Sequence, residues 1–179
     1  AVSPPLPAAV ARTLIQSLKP LLPVVDRAAA AAVLDSVVIT ADHGQGLYDH
    51  GWMGHAHQIY EEAVRIPMVI RFPGRIAEGT VVEGPALLID LAPTVLGYAG
   101  VSADDANFAG MDLGPAVDGT ETIPADRLVF TQRQRFPESD GPDGKAIRGE
   151  EFGVLRRPWK YIQAAEEGSF ELYNLETDP

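Results

Sequence analysis

Ser36-Val37-Val38-Ile39-Thr40-Ala41-Asp42-His43-Gly44 is the stretch on which the reading of this chain turns. Val37 to Thr40 are β-branched without interruption, the composition of a buried strand. The run then stops in polar, glycine-rich sequence that continues to Gly54. Upstream, residues 24–34 are rich in alanine, with Asp26 near the start, and predict a helix. A helix feeding an apolar strand is the rhythm of an α/β sheet, and ligands gather at the carboxyl ends of such strands. Asp42 and His43 stand at that end, and Gly44 permits a tight backbone approach. A carboxylate and an imidazole so placed are candidate metal ligands. Taken alone, Asp-His-Gly is also an ordinary turn, and the triplet by itself favours the turn.

The sequence just downstream strengthens the ligand reading. All 4 histidines of the chain, His43, His50, His55 and His57, fall between positions 43 and 57. Such clustering points to a metal or anion site. The alternative is a hydrated loop in which one histidine packs and the rest face water, and His50 is the one that fits it best.

Further out, the pattern predicts a short helix over residues 57–64, stopped before Pro67, then a strand over residues 67–72 closed by Pro73-Gly74. Asp90 is placed as an N-cap, Pro93 in the first helical turn, and Gly100 as the closing residue of that helix. Residues 102–126 read as loop, Asp104-Asp105 included. Leu128-Val129-Phe130-Thr131 reads as a strand, and residues 137–149 as a mobile surface loop. Residues 152–155 and 159–163 alternate like a hairpin around Arg156-Arg157-Pro158, with Trp159 and Tyr161 on its packed face. Glu61, Glu62 and Arg65 are spaced to pair along one helix. A helix over residues 7–20 precedes all of this. The expected organisation is an α/β core portion over residues 1–127 and an antiparallel portion over residues 128–179.

Composition narrows the function. The 179 residues carry 14 Lys+Arg against 25 Asp+Glu, a net charge of -11, which excludes a non-specific grip on nucleic acid or an anionic membrane. With no cysteine, disulfides and thiolate metal sites are excluded too. No apolar run approaches a membrane span, and Ala1 to Pro5 do not form a secretory signal. The chain lacks an initiator Met and stops at Asp178-Pro179, as expected for a piece of something longer.

Several blocks then carry a family resemblance. Thr40-Ala41-Asp42-His43-Gly44, Asp49-His50-Gly51, Tyr60-Glu61-Glu62-Ala63-Val64-Arg65-Ile66-Pro67 and Ile89-Asp90-Leu91-Ala92-Pro93-Thr94-Val95-Leu96 resemble, in order, the C-terminal core of the sulfatase family. Gly110-Met111-Asp112-Leu113 with Gly119, then Trp159-Lys160-Tyr161-Ile162 and Glu171-Leu172-Tyr173-Asn174-Leu175, resemble its later loop and closing strands. The resemblance implies part of an alkaline-phosphatase-like α/β fold, a mixed sheet flanked by helices, ending in a small antiparallel sheet. It implies a sulfuric ester hydrolase, acting on a small-molecule sulfate ester. A phosphodiesterase or phosphonate monoester hydrolase of the same superfamily is the alternative within catalysis. A truncated, non-catalytic anion-binding domain is the alternative outside it.

The resemblance also implies roles. Asp42 and His43 correspond to a metal-binding pair whose metal is usually calcium. Calcium prefers oxygen donors, so His43 implies either manganese or zinc in its place, or a histidine that hydrogen-bonds the bound anion instead. A lysine that usually binds sulfate just before the Tyr-Glu-Glu block is replaced by Gly54-His55-Ala56-His57, so His55 or His57 is implied as the catalytic and substrate-binding residue. The family's nucleophile is a formylglycine made in a Cys/Ser-x-Pro-x-Arg motif, which this chain does not contain. The 179-residue chain alone is therefore expected to be inactive. Localisation is not set by this sequence; the resemblance implies only that a periplasmic or extracellular place would be usual for the family.

Overall fold

The structure, a computed structural model, describes residues 35–101, 107–140 and 146–178. The helices expected over residues 7–20 and 24–34, and the loop at Asp104-Asp105, lie outside the described residues. The chain divides into two compact units, one of Ala1–Ile39 with Val69–Ile123 and one of Thr40–Met68 with Pro124–Pro179. Among the described residues no helix is long and apolar enough to cross a membrane.

In the first unit, the β-branched run forms strand β1, Val37–Thr40, which pairs with the strand expected after Pro67. That partner (β4) spans Met68–Arg71. β1 was expected to be buried, and it is not: Val37 is 41% exposed and Ile39 61%. Its sheet has only these two strands among the described residues, so the apolar side chains that specify a strand have little to bury against.

A 3-10 turn at Leu88–Asp90 leads into helix α2, Leu91–Tyr98. Asp90 does not cap this helix through its side chain. Instead, fully buried, it accepts from the backbone N–H of Leu87 (2.8 Å) and of Met111 (2.9 Å). Thr94, equally buried, donates to the Asp90 carbonyl at 2.6 Å and accepts from the Leu113 N–H at 2.8 Å. The Asp-Leu-x-Pro-Thr block thus fastens the loop at 110–113 onto α2, and Asp112 starts the short helix α3, Gly114–Val117, by accepting the Gly114 N–H at 2.7 Å. The predicted end of α2 is confirmed. Gly100 adopts φ +69° and the Val101 N–H returns to the Leu96 carbonyl at 3.0 Å, the Schellman arrangement that needs a left-handed residue.

The second unit holds two small ladders and one larger sheet. Strands β2, Gly46–Leu47, and β3, Met53–Gly54, form an antiparallel pair, and helix α1, Glu61–Val64, follows. The C-terminal sheet has the order β5-β6-β7-β8, all antiparallel, with spans Val129–Asp140, Ala146–Arg156, Trp159–Ala164 and Ser169–Asn174. The hairpin at Arg157-Pro158 and the last strand match the sequence reading. The loop expected over residues 137–149 does not: β5 continues to Asp140 and β6 starts at Ala146, with register shifts between Arg133, Phe136 and Ser139. Cross-strand pairing satisfies the backbone there despite Gly, Pro and charged side chains that disfavour strands.

Alternation along these strands sorts the side chains onto two faces. One face carries Phe130, Phe152, Trp159, Phe170 and Leu172, between 49% and 74% exposed. The other carries Arg133, Glu151, Lys160 and Ile162, each at most 7% exposed. Trp159 and Tyr161 therefore lie on the open face, opposite to expectation, because the register puts Lys160 and Ile162 inward.

Candidate functional site

The site residues all belong to the second unit, and backbone contacts rather than side chains first bring them together. After β1 the chain turns at Asp42-His43-Gly44, and α1 receives it: the Gly44 N–H donates to the Ala63 carbonyl at 2.8 Å, and the Gln45 N–H to the Glu62 carbonyl at 2.7 Å. A Cβ on Gly44 would stand 2.0 Å from the Glu62 carbonyl oxygen, so this glycine is required by close approach. The Asp-His-Gly end of the strand and the Tyr-Glu-Glu block are thus one clamp.

That clamp presents the two candidate metal ligands. Asp42 has its side chain 91% exposed, with Oδ1 at 3.7 Å from His43 Nε2. The His43 Nδ1 lies 2.6 Å from the Gly44 carbonyl, so Nδ1 carries the hydrogen and Nε2 the lone pair in the neutral ring. One carboxylate oxygen and one imidazole nitrogen therefore stand side by side, a separation that a divalent ion spans with bonds of about 2.0–2.4 Å. Among the described residues, no group of three or more His, Cys, Asp or Glu is arranged to hold a metal. Asp42 and His43 fit as part of a ligand set.

The histidines of the next loop separate into three surroundings. His55 stacks on His43, ring centres 4.2 Å apart, and its Nδ1 is 3.0 Å from Gln45 Oε1. His57 turns toward Trp52, ring centres 4.5 Å apart, with Nδ1 at 2.9 Å from the His55 carbonyl. Between them Ala56 takes φ +73°, a left-handed conformation uncommon for alanine, which reverses the chain and sends the two rings apart. His50 lies flat on Tyr60 at 3.8 Å, and its Nδ1 meets Glu62 Oε1 at 2.8 Å. It packs on Tyr60 and Glu62 although the residue as a whole stays exposed, while His57 is the half-buried histidine of the four.

Beneath this loop, the inward face of the C-terminal sheet carries several buried polar side chains that bond to the loop and to α1. Lys160 Nζ donates to Glu61 Oε1 at 2.8 Å, and Tyr60 OH to Glu171 Oε2 at 2.8 Å. Glu61 and Glu62 thus reach other elements, Lys160 and His50, rather than pairing along their own helix. Arg133 donates through Nη1 to the His57 carbonyl and through Nη2 to Glu167 Oε1, both at 2.8 Å. Burial raises the Glu171 carboxyl, but hydrogen bonds from Tyr173, Tyr60 and Ser169, with His50 nearby, outweigh it and hold the group below the ordinary range. The same contacts act oppositely on Tyr173, whose hydroxyl is pushed up to about 12 by burial and then by Glu171.

Gln45, Trp52, Arg133 and Glu151 were not foreseen. Gln45 follows the Asp-His-Gly turn directly and could have been named by position. Arg133 and Glu151 become neighbours only through strand register, which no local pattern in the sequence displays.

Comparison with known proteins gives this geometry a family. The family model described as N-sulphoglucosamine sulphohydrolase, C-terminal, matches residues 46–179. The N-acetylglucosamine-6-O-sulfatase of Bacteroides thetaiotaomicron is 28% identical over 144 residues, which cover 80% of this chain and 25% of that protein. A structure solved in complex with its substrate, D-glucosamine-2-N,6-O-disulfate, superposes with a TM-score of 0.68 at 25% identity, covering 93% of this chain and 31% of that one. The phosphonate monoester hydrolase from Silicibacter pomeroyi shares the fold, with a TM-score of 0.59 at 24% identity over 92% of this chain and 31% of that one. The chain thus spans about a quarter to a third of the length of these relatives.

Proposed function

The chain belongs to the sulfatase family as a C-terminal portion with part of the alkaline-phosphatase-like fold, and we propose that the whole protein hydrolyses sulfate esters, of amino sugars in the first place. The observation that carries this reading is the convergence of Asp42, His43 and His55 at one strand end, inside a chain that matches sulfatases over most of its length. The sugar class is supported by two relatives, one named an N-acetylglucosamine-6-O-sulfatase and one solved with D-glucosamine-2-N,6-O-disulfate.

Asp42 and His43 would hold a divalent metal together with ligands from outside this chain. Calcium is the family's usual ion, while manganese or zinc suits the nitrogen donor better. When bound, the metal supplies positive charge to the sulfate oxygens. His55 takes the place of the family's sulfate-binding lysine. Its ring lies against His43, and the contact of Nδ1 with Gln45 fixes its orientation. His55 binds the sulfate by hydrogen bonding and donates a proton to the leaving oxygen as its bond to sulfur breaks. His57, facing Trp52, supports the loop rather than the sulfate. The attacking formylglycine oxygen comes from the nucleophile segment, outside the described chain.

Full-length protein assayed against an aryl sulfate, an aryl phosphonate and a 6-O-sulfated glucosamine tests the proposal. Preference for the sulfates is expected, and a larger kcat/KM on the phosphonate would move the protein to the phosphonate hydrolases. The isolated 179-residue chain should show no turnover; a measurable rate from it would overturn that part.

A further inference from the structure

We propose that Arg133 and Glu151 act as a pair of positioning residues, holding the His55-Ala56-His57 segment over the C-terminal sheet through the backbone of residues 57 and 59. The proposal rests on the reading of His55 as the sulfate-binding group, and it concerns residues of the sheet rather than of the cluster of Asp42, His43 and His55.

The two stand directly opposite each other on β5 and β6. Both are buried, Arg133 at 5% and Glu151 at 7% exposure. Arg133 crosses from the sheet to the loop, donating to the His57 carbonyl while Glu167 holds its other end. The Ile59 backbone N–H acts on Glu151 in the sense that favours its carboxylate form. Ile59 itself is 4% exposed, and it sits so close over Gly153 that a Cβ there would lie 2.8 Å from Ile59 Cδ1. The carbonyl of residue 57 is therefore fixed by a charged side chain and the N–H of residue 59 lies in the field of another, with an apolar side chain pressed between sheet and loop. The loop needs such fixing. Ala56 holds a left-handed conformation that only surrounding contacts maintain.

Buried charges are a costly way to anchor a backbone, which argues for a use beyond stability. Among the described residues, nothing hydrogen-bonds Glu151 Oε2, although it is inaccessible to solvent. Burial pushes this carboxyl up to about 7; Arg133 and the Ile59 N–H oppose the rise, while Glu167 and Glu171 add to it. Those are the charged groups that face it, from β5, from the turn before β8 and from β8 itself. The hold on Ile59 should therefore change as Glu151 ionises across neutral pH, since a carboxylate is a stronger acceptor than a carboxylic acid while the buried charge itself weakens the fold.

The test uses the full-length protein, with Glu151→Gln, Arg133→Lys and the exposed control Arg135→Lys. Hydrogen exchange at the Ile59 amide, corrected for intrinsic rates, should show a step in protection near pH 7 in the wild type and the control, and none in Glu151→Gln. Arg133→Lys cannot reach both the His57 carbonyl and Glu167, so kcat should fall on the order of tenfold or more with KM nearly unchanged, since small misplacements of reacting groups are costly. Should Arg133→Lys fail to fold, Glu151→Gln, which keeps the side-chain shape, decides the matter by exchange alone. The same Ile59 profile in wild type and Glu151→Gln, or wild-type kcat in folded Arg133→Lys, overturns the proposal. Exchange and turnover fail separately: a step without sulfatase activity sinks the functional reading, and activity without a step sinks the positioning pair.

Discussion

Replacing Glu151 with glutamine should make the protein's stability less dependent on pH, and the size of the change follows from the burial of this side chain. Its carboxyl rises from the ordinary 4.5 to about 7, with burial the largest cause. The fold therefore favours the protonated form more than the unfolded chain does. Below pH 4.5 both states are protonated and Glu151 costs nothing. As pH rises from 4.5 toward 7 the unfolded chain releases the proton and the folded one keeps it, so stability falls; above 7 the loss is complete. At about 1.4 kcal/mol per pH unit, the interval of about 2.5 units is worth ~3 kcal/mol, of which ~2.5 kcal/mol falls between pH 5 and pH 8. Glutamine keeps the shape but cannot ionise. Urea unfolding of wild type and Glu151→Gln at pH 5, 6, 7 and 8, followed by tryptophan fluorescence, should show the variant gaining about 2–3 kcal/mol relative to wild type across that range. Parallel pH dependences, agreeing within ~0.5 kcal/mol, would refute the claim that Glu151 is held protonated in the fold.

Three further outcomes are expected. Asp42→Ala should abolish metal binding measured by calorimetry on the full-length protein, and unchanged affinity would remove Asp42 from the ligand set. Gly44→Ala should loosen the clamp, since its Cβ would meet the Glu62 carbonyl at 2.0 Å; thermal unfolding should register a loss of about 1–3 kcal/mol, and an unchanged midpoint would show that the two backbones are not so close. Thr94→Val leaves the buried Leu113 N–H without its acceptor and should cost about 1–3 kcal/mol in denaturant unfolding, where a neutral result would mean that the loop at 110–113 re-pairs.

What the sequence disclosed follows the range of the interactions involved. β1, β4, the closure of α2 at Gly100 and the β6–β7 turn were legible because each is decided by side chains within a few residues of one another. Gly44 was read correctly as a point of close approach, though its partner, the carbonyl of residue 62, was not named. The continuation of β5 and β6 was missed because Gly, Pro and charge argue locally for a loop, and only the ladder between the strands overrides them. Asp90 resembled a cap because aspartate before a helix usually is one; here a second loop, 21 residues on, takes its oxygen. At the site, residue types announced the histidine cluster. Which ring meets which depends on the backbone turn at Ala56, and alanine gives no local warning of positive φ.

The register shifts in β5 bear on how such a protein can diversify. Pairing is regular from Val129 to Arg133 and breaks immediately after, before Phe136 and again before Ser139. An extra residue inserted beyond the first break would be taken up where the ladder is already interrupted, leaving the paired residues before it in place. The outer half of this hairpin is thus free to change length and composition while its inner half stays constant. Side chains beyond the breaks can then vary without disturbing the regular stretch that carries Arg133, so the strand keeps its hold on the His57 carbonyl while its far end drifts.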